Sequence, residues 1–161
     1  MSSLRIVERG VRLRLRHRPA ALVAVGAARV LAQLPPRRIR GVLTVLRRGA
    51  MPATYQQTSA ARDAVVAASV LCAGEGCLQR ALATTLLCRL RGVWPTWCTG
   101  VRTAPFVAHA WVEVDGEPVD EPHPANYYRP IITIPPDLRR LLSLRLRSAC
   151  GPKSELGTTR G

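Results

Sequence analysis

The chain has 161 residues, 47% of them hydrophobic and only 4% aromatic, which excludes an intrinsically disordered chain and leaves room for one compact domain rather than two. Its net charge is +14. Residues 1–50 carry twelve arginines and a single acid, Glu8, so this segment is either a solvated basic surface or one that attracts phosphates, anionic lipid head groups or an acidic partner.

Residues 1–50 predict a basic helical extension. Residues 20–34 and 36–48 have helical patterns, the first ended by Pro35 and Pro36 and the second by Gly49. The apolar stretch over residues 19–36 is shorter than the roughly 20 residues of a membrane-spanning helix. A signal peptide would need a shorter basic leader, and the amphipathic pattern continues past any cleavage point. We therefore expect a cytoplasmic protein.

Residues 51–148 predict a core that begins with helices. Residues 51–57 are typical of a linker, and Ser59 can cap a helix over residues 60–72. The sequence Ala-Gly-Glu-Gly at 73–76 breaks that helix. A second amphipathic helix then runs from Cys77 to about Arg91, and Gly92 ends it.

Beyond this helix the pattern changes to that of strands. Residues 97–101, 106–114 and 130–134 predict strands, and a turn at Asp115-Gly116 returns the chain over residues 117–121. A basic helix over 137–148 and a disordered tail over 149–161 complete the prediction. Helices followed by antiparallel strands define an α+β fold.

The cysteines do not indicate a disulfide framework. There are five of them, without a Cys-x-x-Cys pair, and they are Cys72, Cys77, Cys88, Cys98 and Cys150. An odd number without regular spacing favours free thiols in a reducing compartment and argues against a zinc site.

Cys77 and His109 have the arrangement of a nucleophile and its general base. A helix N-terminus favours a thiolate over a thiol, and the unpaired N–H groups of its first turn can stabilise an oxyanion. His109 lies in the strand sequence VAHAWVEV, where the bulky Trp111 shares its face. His17, in the arginine-rich segment, and His123, in a proline-flanked loop, suit this role less well. The pair therefore predicts acyl-transfer chemistry.

A third, acidic residue should hold the imidazole in one tautomer. A two-residue loop at Asp115-Gly116 would place Asp120 diagonal to His109, on the same face of the sheet. A three-residue loop over residues 114–116 would pair Glu113 with Glu117 and place Glu121 directly opposite His109. We favour Glu121 and keep Asp120 as the alternative.

Three segments resemble the lasso peptide biosynthesis B2 proteins, which are transglutaminase-like cysteine peptidases. They are GCLQRALATTLLCRLRG, GVRTAPFVAHAWVEVDGEPVDEP and NYYRP, and the resemblance extends over roughly residues 20–135. The 32-residue separation of Cys77 and His109 also fits. One departure is that the family's third position is usually Asp, and here Glu121 occupies it.

The resemblance implies a transglutaminase/papain-like core, in which a helix with the cysteine packs on a small antiparallel sheet with the histidine. It implies a peptidase that cuts the leader from a ribosomally made precursor peptide, before a separate ATP-dependent cyclase closes the product. No metal or cofactor is required for this reaction. The segment 1–50 is too short for the leader-recognition domain fused to some relatives, so a separate recognition protein is implied as a partner.

Overall fold

The computed structural model describes residues 18–74 and 76–137. Its helices are α1 (Arg18–Leu31), α2 (Pro36–Leu46), α3 (Tyr55–Ala68), α4 (Val70–Ala73) and α5 (Cys77–Leu90). Its strands are β1 (Met51–Pro52), β2 (Val93–Trp94), β3 (Thr96–Thr103), β4 (Phe106–Val114), β5 (Glu117–Pro118) and β6 (Arg129–Ile134). The architecture is α+β, as the sequence predicted. The predicted helix over 137–148 and the tail over 149–161 lie outside the described residues, apart from Asp137, which is not helical.

Four strands form an antiparallel sheet in the order β5-β4-β3-β6. Strand β3 pairs with β4 along its whole length, and Gly100 lies opposite His109. A Cβ on Gly100 would lie 2.4 Å from the carbonyl oxygen of Arg129 and 3.0 Å from the Trp111 ring. Only glycine therefore fits at this position of β3, which the backbone of β6 and the indole of Trp111 approach closely. Strands β1 and β2 form a separate parallel pair.

The helices pack against this sheet chiefly through α5. Helix α5 packs against β4, α1 and α3, and its buried residues include Leu82 and Leu87. Ala110 and Val112 of β4 face this core, which places the alternate residues His109 and Trp111 on the other face of the sheet. None of the helices described is long and apolar enough to cross a membrane.

The described part of the predicted N-terminal extension shares this core. Helix α1 packs against α3 and α5, and α2 buries Ile39 and Leu43 in the same cluster. The predicted division at residue 50 stays a prediction about independent folding. Its two helices were predicted correctly, with ends within three residues of those observed.

Helix α3 begins earlier than predicted. Thr54, not Ser59, is its N-cap: its hydroxyl accepts from the N–H of Gln57, whose side chain accepts from the N–H of Thr54. This capping box satisfies two N–H groups at once, so it competes well against a single cap further along. Residues 55–57, predicted as linker, are consequently helical.

The hairpin after β4 has a different register from the one we favoured. Val114 pairs with Glu117 and Glu113 with Pro118, so the turn has two residues. Asp115 and Gly116 both have positive φ, at 53° and 83°, which is the geometry of the type I′ turn that matches strand twist. The expected pairing of Glu113 with Glu117 was wrong, and the third strand ends at Pro118 rather than at residue 121.

Candidate active site

Cys77 is the first residue of α5 and follows a tight break in the chain. The N–H of Gly76 donates to the carbonyl of Leu71 over 3.3 Å. A Cβ on Gly76 would lie 2.6 Å from that oxygen, so the approach of α4 to α5 requires glycine here. Gly76, the N-cap residue, has no side chain that could accept a hydrogen bond. The first-turn N–H groups of α5 are therefore not capped by a side chain.

Arg80, one turn after Cys77, ties this break together. Its Nη1 atom donates to the carbonyl oxygens of Cys72, at 3.2 Å, and Gly74, at 3.1 Å. One guanidinium thus holds the end of α4 against the start of α5. The position of the thiol depends on this contact as well as on Gly76.

His109 lies in the middle of β4, and its side chain is 15% exposed. Its Nε2 atom is 2.8 Å from Oε2 of Glu121, so the N–H donates to the carboxylate and Nδ1 is the nitrogen left for the thiol. A carboxylate in this position fixes the tautomer of the ring. The structure thus brings Cys77, His109 and Glu121 together.

Glu121 reaches the imidazole from a loop and not from a strand. The N–H of Val119 still donates to Val112 of β4 at 3.0 Å, but Asp120 then takes a left-handed conformation with φ of 51°. This bend turns the chain so that Glu121 is 8% exposed beside His109, whereas Asp120 is exposed. The structure therefore selects Glu121 over Asp120 as the neighbour of His109.

The electrostatics of the pair favour separated charges. Hydrogen bonding to His109 lowers the pKa of the Cys77 thiol and outweighs partial burial, with smaller effects from the Ala110 N–H and the charges of His109 and Arg80. Hydrogen bonds to Cys77 and Glu121 raise the pKa of His109 to about 9. Both shifts favour a thiolate facing an imidazolium over a neutral pair, which is the direction that activates a cysteine as a nucleophile.

The other described cysteines lack this setting. Burial raises the pKa of Cys88 and of Cys98 to about 12, and Cys72 is only 1% exposed. All three are free thiols, as is Cys77. Buried thiols of this kind pack as small apolar side chains. Cys150 lies outside the described residues.

Aromatic rings cover the imidazole. Tyr128 stacks on His109 with ring centroids 4.7 Å apart, and Trp111 lies parallel to it at 6.1 Å. These rings exclude water from the hydrogen bond between His109 and Glu121, and the lower local dielectric strengthens it. The sequence indicated Trp111 as a shield but not Tyr128, although the NYYRP segment contains it.

A second stack holds the loop that supplies Glu121 and Tyr128. Tyr127 stacks on His123 at 3.8 Å, and the guanidinium of Arg102 lies 4.7 Å from the centre of the Tyr127 ring and donates to its hydroxyl. His123 is thus part of the loop's packing, whereas the histidine that hydrogen-bonds Cys77 is His109. His17, the other histidine, lies outside the described residues.

Helix α3 contributes two contacts that sequence reasoning missed. The Tyr55 hydroxyl accepts from the N–H of Asp120 at 3.3 Å, and Nη2 of Arg62 is 3.8 Å from Oε1 of Glu121. Tyr55 also lines an open cleft of about 530 Å³ that Glu121 borders. The seven-residue spacing of Tyr55 and Arg62 predicts a shared helix face, but nothing local indicates that this face meets Glu121.

Comparison with known proteins places this geometry in a family. No curated protein and no solved structure matches the chain significantly. The family model of the Transglutaminase-like superfamily matches residues 21–133, a range that contains Cys77, His109 and Glu121 and begins inside α1. The chain therefore belongs to the transglutaminase-like superfamily.

Proposed function

We propose that the protein is a cysteine peptidase that removes the leader from a ribosomally synthesised lasso peptide precursor. The observation that carries the acyl-transfer part is the hydrogen-bonded series Cys77, His109 and Glu121 at a helix start, in which the pKa of the thiol is lowered and that of the imidazole is raised. The choice of a leader peptide as substrate rests on the resemblance of the Cys77 helix, the His109 strand and the NYYRP segment to the lasso peptide proteins.

In the proposed reaction the Cys77 thiolate attacks the scissile carbonyl carbon, and a C–S bond forms as the carbonyl becomes an oxyanion. First-turn N–H groups of α5, including that of Cys77, stabilise this charge. The imidazolium of His109 gives its proton to the departing amine as the C–N bond breaks, which leaves a thioester. Neutral His109 then takes a proton from water, whose oxygen attacks the thioester and restores the thiolate.

Glu121 accepts from Nε2 of His109 and orients the ring. Its longer side chain replaces the family's usual Asp because the bend at Asp120 begins the approach from a loop, where one more methylene spans the distance to Nε2. The proposed partners are the precursor peptide, a separate leader-recognition protein and the ATP-dependent cyclase. The proposed location is the cytoplasm.

The same three residues would also serve an acyltransferase, in which an amine replaces water as the second nucleophile. The decisive experiment incubates a co-encoded precursor and recognition protein with the wild-type protein and with Cys77→Ala. Mass spectrometry should show two fragments with the wild type and intact precursor with the variant. An amine adduct of uncleaved precursor would favour the acyltransferase.

Equal cleavage by the two proteins would refute the mechanism. A third reading, a basic module that binds nucleic acid or membranes through residues 1–50, predicts salt-sensitive binding that Cys77→Ala leaves intact. The matched control for a general loss of folding is Cys88→Ala. Cys88 lies in α5, eleven residues after Cys77, and is fully buried. Cys88→Ala should have a lower free energy of unfolding, but the molecules that remain folded should still cleave the precursor.

A further inference from the structure

Helix α3 touches the Glu121 segment at two points, seven residues apart. Tyr55 accepts a hydrogen bond from the N–H of Asp120, and Arg62 forms an ion pair with Glu121. Residues seven apart lie on one face of an α-helix, two turns from each other. One helix face therefore holds both the backbone that bends before Glu121 and the carboxylate itself.

The two carboxylate oxygens of Glu121 contact two different side chains. Oε2 accepts from Nε2 of His109 at 2.8 Å, while Oε1 faces Nη2 of Arg62 at 3.8 Å. The longer distance is that of a charge contact and not of a hydrogen bond. Because the Glu121 side chain is 8% exposed and that of Arg62 18%, water screens this contact less than it would on an open surface.

We infer that Arg62 is a positioning residue for the thiolate–imidazolium pair and acts through Glu121. Its charge holds Oε1 so that Oε2 stays on the imidazole, and it balances the second negative charge of the site. This inference rests on the roles proposed above for Cys77, His109 and Glu121. It does not depend on which peptide, if any, is cleaved.

The charges of Arg62 and Arg80 act on the site formed by Cys77, His109 and Glu121. Thiolate, imidazolium and Glu121 carboxylate together carry one net negative charge, which Arg62 offsets from α3. From α5 the charge of Arg80 also acts on Cys77, and from the loop Tyr128, whose ring stacks on His109, interacts electrostatically with Glu121 and Cys77. Loss of Arg62 removes the partner of Oε1, so Glu121 holds Oε2 on the imidazole less firmly. The imidazolium is then less stabilised, and thiolate formation beside it is less favourable.

The test measures Cys77 alone and needs no substrate. The rate of its alkylation by iodoacetamide is followed from pH 4 to pH 10 by mass spectrometry of the peptide containing Cys77. The proteins are the wild type, Arg62→Gln, Arg62→Lys and the control Arg37→Gln, which alters an exposed arginine of α2. We expect Arg62→Gln to shift the acidic transition upward by about 0.5–1 pH unit, with Arg62→Lys close to wild type and Arg37→Gln unchanged.

A double-mutant cycle decides whether the effect passes through Glu121. In a Glu121→Gln background, Arg62→Gln should produce little further shift. An equal shift in both backgrounds would overturn the inference, because Arg62 would then act directly on the thiol. A wild-type profile in folded Arg62→Gln would overturn it as well.

Arg62→Met, which retains an unbranched stem, provides the same comparison if Arg62→Gln does not fold. The outcome is separable from that of the cleavage experiment. A shifted alkylation profile together with an uncut precursor would reject the leader peptidase and retain Arg62 as a positioning residue. If the precursor is cleaved and the alkylation profiles of the wild type and Arg62→Gln coincide, the leader peptidase is retained and the role of Arg62 is rejected.

Discussion

Nε2 of His109 lies 2.8 Å from Oε2 of Glu121, although the two residues do not occupy paired positions in the sheet. The return strand β5 ends at Pro118, and a left-handed Asp120 redirects the chain. The contact therefore depends on a loop conformation, which Tyr55 and the stack of Tyr127 on His123 help to hold. The residue favoured from the sequence is the one that contacts His109, but the hairpin register that favoured it was wrong.

The first prediction separates Glu121 from its neighbour. Glu121→Gln should lower kcat/KM on the order of 10²–10³-fold, since an amide cannot hold the protonated imidazole as a carboxylate does. Asp120→Asn is the matched control, because Asp120 is exposed and asparagine tolerates its left-handed backbone. Steady-state cleavage of the precursor measures both. A larger loss in Asp120→Asn than in Glu121→Gln would contradict the observed arrangement.

The second prediction concerns pH. The pKa of Cys77 is lowered and that of His109 is raised to about 9, so the two shifts favour a thiolate–imidazolium pair below about pH 9. Cleavage should rise with pH as Cys77 ionises and fall near pH 9, when His109 loses the proton that the leaving amine needs. A pH profile of kcat/KM tests this. A descending limb already complete at pH 7 would be inconsistent with the structure.

The third prediction concerns Gly76. In Gly76→Ala the new methyl group meets the Leu71 carbonyl oxygen at 2.6 Å, so α4 and the start of α5 must move apart. We expect a loss of about 1–3 kcal/mol in the free energy of unfolding and slower alkylation of Cys77.

The control for Gly76 is Gly41 in α2, where a Cβ meets nothing within 4 Å. Gly41→Ala should raise the free energy of unfolding by roughly 0.5–1 kcal/mol, since alanine is the better helix former. Urea titration followed by circular dichroism measures both variants. Equal effects of the two substitutions would argue against the close approach at Gly76.

The fourth prediction separates the two effects of Arg80. Arg80→Lys retains a positive charge near Cys77 but loses the guanidinium that reaches the carbonyls of Cys72 and Gly74. It should lower the free energy of unfolding by about 1 kcal/mol and leave the acidic transition of Cys77 alkylation nearly in place. Arg80→Met should change both quantities. If Arg80→Lys matched the wild type in stability, the hydrogen bonds to the break would have no measurable value.

The local sequence was sufficient for the helix that carries Cys77 and the strand that carries His109. Helix α5 was predicted to begin at Cys77, because a glycine-containing break precedes a helical repeat of apolar residues, and β4 was predicted to cover residues 106–114. Both signals are local. The break needs glycine, and the alternation of residues in VAHAWVEV places Ala110 and Val112 on one face of the strand and His109 and Trp111 on the other. Membership of the transglutaminase-like superfamily also follows from the sequence.

Tertiary structure alone decided the surroundings of that pair. Which acid meets His109 depends on where β5 stops and how Asp120 bends, and a shift of one residue in register reverses the faces of a strand. The start of α3 is an exception, because the capping box of Thr54 and Gln57 that fixes it is a local signal that the sequence analysis missed. The contact of Arg62 with Glu121 joins residues 59 positions apart, and the packing of α3 against α5 and β4 creates it. The sequence by itself determined that Cys77 begins a helix and that His109 lies in a strand, whereas the long-range packing determined what holds these two residues in place.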